Sequence, residues 1–145
     1  MRRRMKAIAA CTNVSLALVA LLAQPASANT FTVSPSGFSA WNFSIDGAPL
    51  VANPQLTLVT GQTYTFSVSA SGTHPFWIKT VQGNGSANGY VGGGLSANGV
   101  TSSTSVTFTP PVTAPSTLFY NCGNHQPMTG IIKIIVDPIF KSDFE

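Results

Sequence analysis

Thr63-Tyr-Thr-Phe-Ser-Val-Ser69 alternates without a break, Tyr64, Phe66 and Val68 on one side and Thr63, Thr65, Ser67 and Ser69 on the other. A period of two is that of a strand with one buried face. The pattern extends both ways from there. Upstream, Phe31-Thr-Val33 is a short first strand, and Trp41-Asn-Phe-Ser-Ile45 alternates into the turn pair Asp46-Gly47, with Pro49 close behind. Leu56-Thr-Leu58 alternates again and stops before Gly61. Downstream, His74-Pro-Phe-Trp-Ile-Lys-Thr80 reads as a strand with His74 in phase with Phe76 and Ile78, hence facing the core. Pro75, lacking an N–H, belongs at the start of that strand or on an unpaired edge. Ser105–Thr109 alternates before Pro110-Pro111, and Thr117–Cys122 puts Leu118, Tyr120 and Cys122 on one face. Ile131 to Val136 is mostly apolar and reads as a last strand buried on both sides. No stretch after residue 28 carries a 3.6-residue stripe. Seven or eight short strands separated by turns predict an all-β protein, a β-sandwich. Val81 to Thr104, with seven glycines, has no periodicity. A loop that long is usually functional or mobile.

The chain opens with Met1-Arg-Arg-Arg-Met-Lys6, turns apolar from Ala7 to Ala23 and reaches Ala26-Ser-Ala28. A positive start, an apolar middle and small residues at the end predict a signal peptide over residues 1–28, and a periplasmic or secreted protein. Thr12, Asn13 and Ser15 make the run too polar, and it is too short, for a membrane span. Cys11 has too few apolar residues before it to mark a lipoprotein. Residues 29–136 make one domain, and 137–145 a loosely attached tail. Cleavage leaves Lys79, Lys133 and Lys141 against Asp46, Asp137, Asp143 and Glu145, a net charge of −1. The basic pI of about 9.1 therefore belongs to the targeting segment, and no basic face remains for nucleic acid. Cleavage also leaves a single cysteine, Cys122. A lone thiol in an oxidising compartment is a liability unless something occupies it.

Tyr120-Asn-Cys-Gly-Asn-His-Gln-Pro-Met-Thr-Gly130 says what that is. Cys122, His125 and Met128 lie three residues apart on one tight loop between two β-prone runs. A thiolate, an imidazole and a thioether form a soft donor set that suits copper. A fourth ligand must come from elsewhere, and His74 is the only other histidine. Each of these residues alone has a duller reading: a core thiol, a satisfied histidine, a gap-filling methionine. After cleavage, however, one cysteine, two histidines and one methionine remain, and all fall in ligand positions.

The spacing C-x-x-H-x-x-M with an upstream histidine resembles the blue-copper, or cupredoxin, family. So does the wider pattern of Asn53-Pro-Gln-Leu-Thr-Leu, Gly61-Gln-Thr-Tyr-Thr-Phe, His74-Pro-Phe-Trp-Ile, Val106-Thr-Phe-Thr and Leu118-Phe-Tyr-Asn-Cys, which looks like small bacterial plastocyanin-like domains. It covers roughly Leu56 to Val136. The resemblance implies a Greek-key sandwich holding one copper ion that cycles between Cu(I) and Cu(II). His74, Cys122 and His125 would be equatorial ligands and Met128 the axial one, with the His125 edge as the electron port. The chain departs from the family pattern twice. Pro75 stands where an Asn often supplies an N–H to the sulfur, and Gly123-Asn124 stands where a Pro is common.

The function expected is one-electron carriage outside the cytoplasm, by a monomer that docks transiently to redox proteins without stable membrane insertion. The alternative is a copper-binding module for storage or delivery. An enzyme is not expected. Two histidines cannot build a trinuclear copper site, one cysteine cannot build a binuclear one, and no acid–base pair is left for hydrolysis. Trp77, out of phase with His74, reads as ordinary packing rather than a docking aromatic. Gly83–Gly99 lacks the strand-to-helix setting of a phosphate cradle.

Overall fold

The computed structural model describes residues 29–137; the signal segment expected at 1–28 and the tail from 138 lie outside the described residues. In chain order the strands are β1 (Asn29–Ser36), β2 (Ala40–Ile45), β3 (Val51–Ala52), β4 (Leu56–Val59), β5 (Tyr64–Val68), β6 (Phe76–Lys79), β7 (Thr104–Phe108), β8 (Thr117–Cys122) and β9 (Thr129–Ile135). They form a five-stranded sheet, β3-β2-β1-β5-β7, and a four-stranded sheet, β4-β9-β8-β6. From β3 to β8 every connection changes sheet, giving the expected all-β Greek-key sandwich. The β1–β5 and β4–β9 pairs are parallel and the rest antiparallel. Among the described residues no helix is long and apolar enough to cross a membrane.

Alternation explains the core. Tyr64, Phe66 and Val68 on β5 are buried, as are Phe31 and Val33 on the parallel neighbour β1 and Val106 and Phe108 on β7. Trp41, Phe43, Phe76 and Tyr120 close the space between the sheets. Each large apolar side chain so buried contributes about 1.5–3 kcal/mol. Tyr120 keeps its hydroxyl satisfied by donating to the Pro54 carbonyl at 2.7 Å, and burial holds its pKa well above the usual phenol value.

Three expectations need correction. There are nine strands, because the two-residue β3 lacks enough alternation to be read. The last strand is buried on one face only: Ile132 and Ile134 point inward, whereas Ile135 is 48 % exposed. The outer face of that sheet meets solvent there, and the run of isoleucines hid it. The strand expected from His74 starts at Phe76. His74 belongs to the preceding turn, its N–H donating to the Ser71 carbonyl at 2.9 Å.

The glycine-rich stretch after β6 has a definite task. β6 is an edge strand, and an open edge invites unwanted pairing. Phe76 exchanges two backbone hydrogen bonds with Val100, and the Tyr90 N–H donates to the Ile78 carbonyl. Asn98 completes the row: its Oδ1 accepts from the Ile78 N–H at 2.8 Å and its Nδ2 donates to the Ile78 and Tyr90 carbonyls. Trp77 packs beneath this stretch against Gly89, Gly99 and Gly123, which accords with ordinary packing. Gly99 has φ +69°, and a Cβ there would collide with the indole. Lys79 is 1 % exposed, and its ammonium donates to the Gly83 carbonyl at 2.5 Å and the Gly85 carbonyl at 3.2 Å. Burial lowers its pKa. Those carbonyls offset part of the cost of taking the charge out of water.

Asn98→Ala strands the Ile78 N–H and takes a donor from the Tyr90 carbonyl, while the Ile78 carbonyl keeps the Tyr90 N–H. The expected loss is about 1–3 kcal/mol, read as a lower urea midpoint at unchanged slope.

Candidate metal centre

The antiparallel pairing of β6 with β8 sets Phe76 opposite Cys122. Side chains two residues apart share a face, so the chain just ahead of Phe76 delivers His74 to the side of the sheet that Cys122 occupies. Beyond Cys122 the chain turns sharply and returns as β9. The turn is closed by the Cys122 N–H donating to the Met128 carbonyl at 2.8 Å and the Met128 N–H donating to that of His125 at 3.1 Å. Three of the four residues singled out in the sequence thus come from one short loop, and the fourth from across a strand pair.

The structure brings His74, Cys122 and His125 together. The sulfur lies 3.9 Å from Nδ1 of His74 and 3.5 Å from Nδ1 of His125, and the three donor atoms all lie within 4.8 Å of one another. Donors bound about 2.0–2.3 Å from one ion at trigonal or tetrahedral angles stand about 3.3–4.0 Å apart. The measured separations suit a single small metal ion. Soft sulfur with two imidazoles favours copper over magnesium or calcium, which want oxygen. Among the described residues Cys122 is the free cysteine and is 1 % exposed. His74 is buried, His125 half-buried, and Met128 fully buried at the end of the same loop.

The surroundings tie the two halves of the cluster together. The Asn124 side chain donates to the carbonyls of Gly72 and Thr73, at 3.3 and 3.0 Å, clasping the turn that carries His74. The Asn124 backbone N–H donates to the Cys122 sulfur at 3.5 Å. The Gly123 N–H goes instead to the Pro75 carbonyl at 2.8 Å, and the Gly123 carbonyl accepts from the Gly85 N–H at 2.7 Å. Of the two amides that Gly123-Asn124 offers, only that of Asn124 serves the sulfur. Burial lowers the pKa of His74, and the neighbouring His125 lowers it further. A neutral imidazole keeps a lone pair free for a metal.

Three neighbours were invisible in the sequence reading. Trp41 meets the His74 ring edge-on at 6.3 Å. Phe38 lies against both imidazoles, 5.7 Å from His74 and 4.8 Å from His125 between ring centroids. Asn53 donates to the Pro127 carbonyl at 2.9 Å, seventy-four residues away.

No known protein family and no curated protein matches the chain. Among solved structures it is similar to rusticyanin from Thiobacillus ferrooxidans, at 23 % identity and a TM-score of 0.47, over 73 % of this chain and 76 % of that one. Another structure of rusticyanin, described as a copper protein, matches at 20 % identity with the same TM-score and coverage. A mutant of amicyanin in its reduced Cu(I) form matches at 15 % identity and a TM-score of 0.41, over 73 % of this chain and 82 % of that one.

Because the folded metal-free protein holds His74 below its ordinary pKa of 6.5, the unfolded chain takes up that proton first as pH falls. Stability is then fully present above pH 6.5 and declines on acidification from there down through the lowered folded value. Urea unfolding of the metal-free protein over this range should show the decline, and His74→Gln should flatten it.

Proposed function

We propose that this chain is a mononuclear type 1 copper protein that carries single electrons outside the cytoplasm. His74, Cys122 and His125 would hold the ion, with the buried Met128 thioether as the fourth donor. The observation that carries the reading is the convergence of one thiol and two imidazole nitrogens to within 4.8 Å in a largely buried corner of a rigid sandwich. Bound there, copper would supply the change between Cu(I) and Cu(II).

The chain's own part is to keep that change cheap. The Asn124 N–H donates to the Cys122 sulfur at 3.5 Å, which fixes the direction of its lone pairs. His74, kept neutral by burial, needs no proton removed near pH 7. Strands β6 and β8, the clasp of Asn124 and the closed turn from Cys122 to Met128 hold the donors in place. A donor set that cannot rearrange suits an ion that must accept both charges. His125, the most exposed of the three, is the natural exit for an electron, so partners would dock transiently at that end. Placement outside the cytoplasm rests on the signal-like residues 1–28. The reading is a carrier rather than an enzyme because a metal would occupy the thiol and both imidazoles of the cluster.

Adding Cu(II) to the metal-free protein should produce an intense visible thiolate-to-copper band at one copper per chain, and Cys122→Ser should abolish it. A protein that stays colourless with Cu(II) yet holds Cu(I) tightly would replace electron carriage with storage or delivery.

A further inference from the structure

Phe38 is 66 % exposed, yet its position is not that of a loose surface side chain. Its ring packs against His125 at 4.8 Å with 33° between planes and against His74 at 5.7 Å with 28°. The two imidazoles are themselves 4.7 Å apart. One face of the phenyl group therefore rests across both rings while much of the remainder meets water. The turn that carries it, between β1 and β2, belongs to the five-stranded sheet, whereas the donors come from the four-stranded one. The ring reaches the cluster from the opposite layer of the sandwich.

That reach is fixed in place. Gly37, at φ +54°, lets the chain reverse, and the Ser39 N–H donates to the Ser36 carbonyl. Asn53 then bridges the Phe38 turn to the donor loop. Its side-chain nitrogen donates to the Ser39 carbonyl at 3.4 Å and to the Pro127 carbonyl at 2.9 Å, while its Oδ1 accepts from the Trp41 N–H at 2.9 Å. Asn53 adopts φ +45°, a conformation that asparagine tolerates better than most residues. One polar side chain thus joins the segment that bears the ring to the segment that bears Cys122, His125 and Met128.

We infer that Phe38 is a cover over the cluster, a positioning residue that shuts water and small reagents out of the sulfur while it stacks the two imidazoles. Cys122 is 1 % exposed although its sulfur lies 3.5 Å from Nδ1 of the half-buried His125, and the aromatic ring across both histidines is placed to close that approach. An aromatic ring does this better than an aliphatic one, because its flat face matches that of an imidazole. The inference concerns the cluster to which the copper reading applies, and a test without metal separates the two.

In the metal-free protein the rate at which Cys122 reacts with a small aromatic disulfide reports access to the sulfur. The thiolate attacks the reagent, a mixed disulfide forms and the reagent's own thiolate leaves. Phe38→Ala should react at least about tenfold faster than the natural chain, since access governs a buried thiol. Phe38→Tyr, which keeps the ring, should react at the natural rate. Urea midpoints measured alongside must be equal, which the exposure of Phe38 leads one to expect. Equal thiol rates in the natural chain and Phe38→Ala would overturn the inference, and so would a Phe38→Tyr rate as fast as that of Phe38→Ala. A fast Phe38→Ala thiol in a protein that gives no copper band would leave the cover standing and sink the copper reading alone. With copper bound, Phe38→Ala should also surrender Cu(I) to a strong chelator faster, and an unchanged extraction rate would confine the cover to the free thiol.

Discussion

The register that sets Phe76 opposite Cys122 is the constraint on which the rest of the site depends. Side chains alternate along a strand, so a slip of one residue in this pairing would turn Cys122 to the outer face and separate it from His74. Several contacts hold the register from outside the pair. Burial of Phe76, Ile78, Leu118 and Tyr120 on the inner face penalises a slip through four side chains at once. The Gly123 N–H bonded to the Pro75 carbonyl extends the ladder one step past the strand, to the point where the chain begins its turn. The cluster is thus fixed by the same backbone pairing that builds the sheet.

The glycine-rich stretch supports this from the far side. It lines the open edge of β6 and presses small residues onto Trp77, leaving β6 no partner to exchange for β8. Lys79 gathers the carbonyls of Gly83 and Gly85, and the Gly85 N–H reaches the Gly123 carbonyl next to Cys122. A buried ammonium, a loop and the residue after the thiol form one connected run. Few apolar side chains stabilise that loop, so directional hydrogen bonds take their place.

Much of this was legible in the sequence, for a physical reason. Period-two alternation is a local property, and it revealed β5 and most other strands because one face of each is buried. The donor set was legible because its residue types are rare in this chain, so their coincidence on one loop carried weight. Alternation failed where the local signal is weak or ambiguous. Val51–Ala52 is too short to alternate, and the isoleucines of β9 are apolar on a face that meets solvent. Phe38 and Asn53 failed for a different reason. Their importance lies in contacts across 74 to 87 residues of chain, from Asn53 to Pro127 and from Phe38 to His125, and nothing in their neighbours along the sequence signals a partner so distant.

Pro75 shows how one residue's limitation is made good by the fold. Having no N–H, it cannot donate to the nearby sulfur, but its carbonyl takes up the Gly123 N–H at 2.8 Å. With Gly123 so engaged, the next amide, that of Asn124, is the one directed at the sulfur. The Asn124 side chain meanwhile bonds the Gly72 and Thr73 carbonyls, which immediately precede His74. The amide donor to the sulfur thus comes from the cysteine side of the site. The same residue that supplies it also fastens the histidine turn. Sulfur hydrogen bonding and the spacing between His74 and Cys122 are therefore coupled through Asn124, and a change there would alter both together.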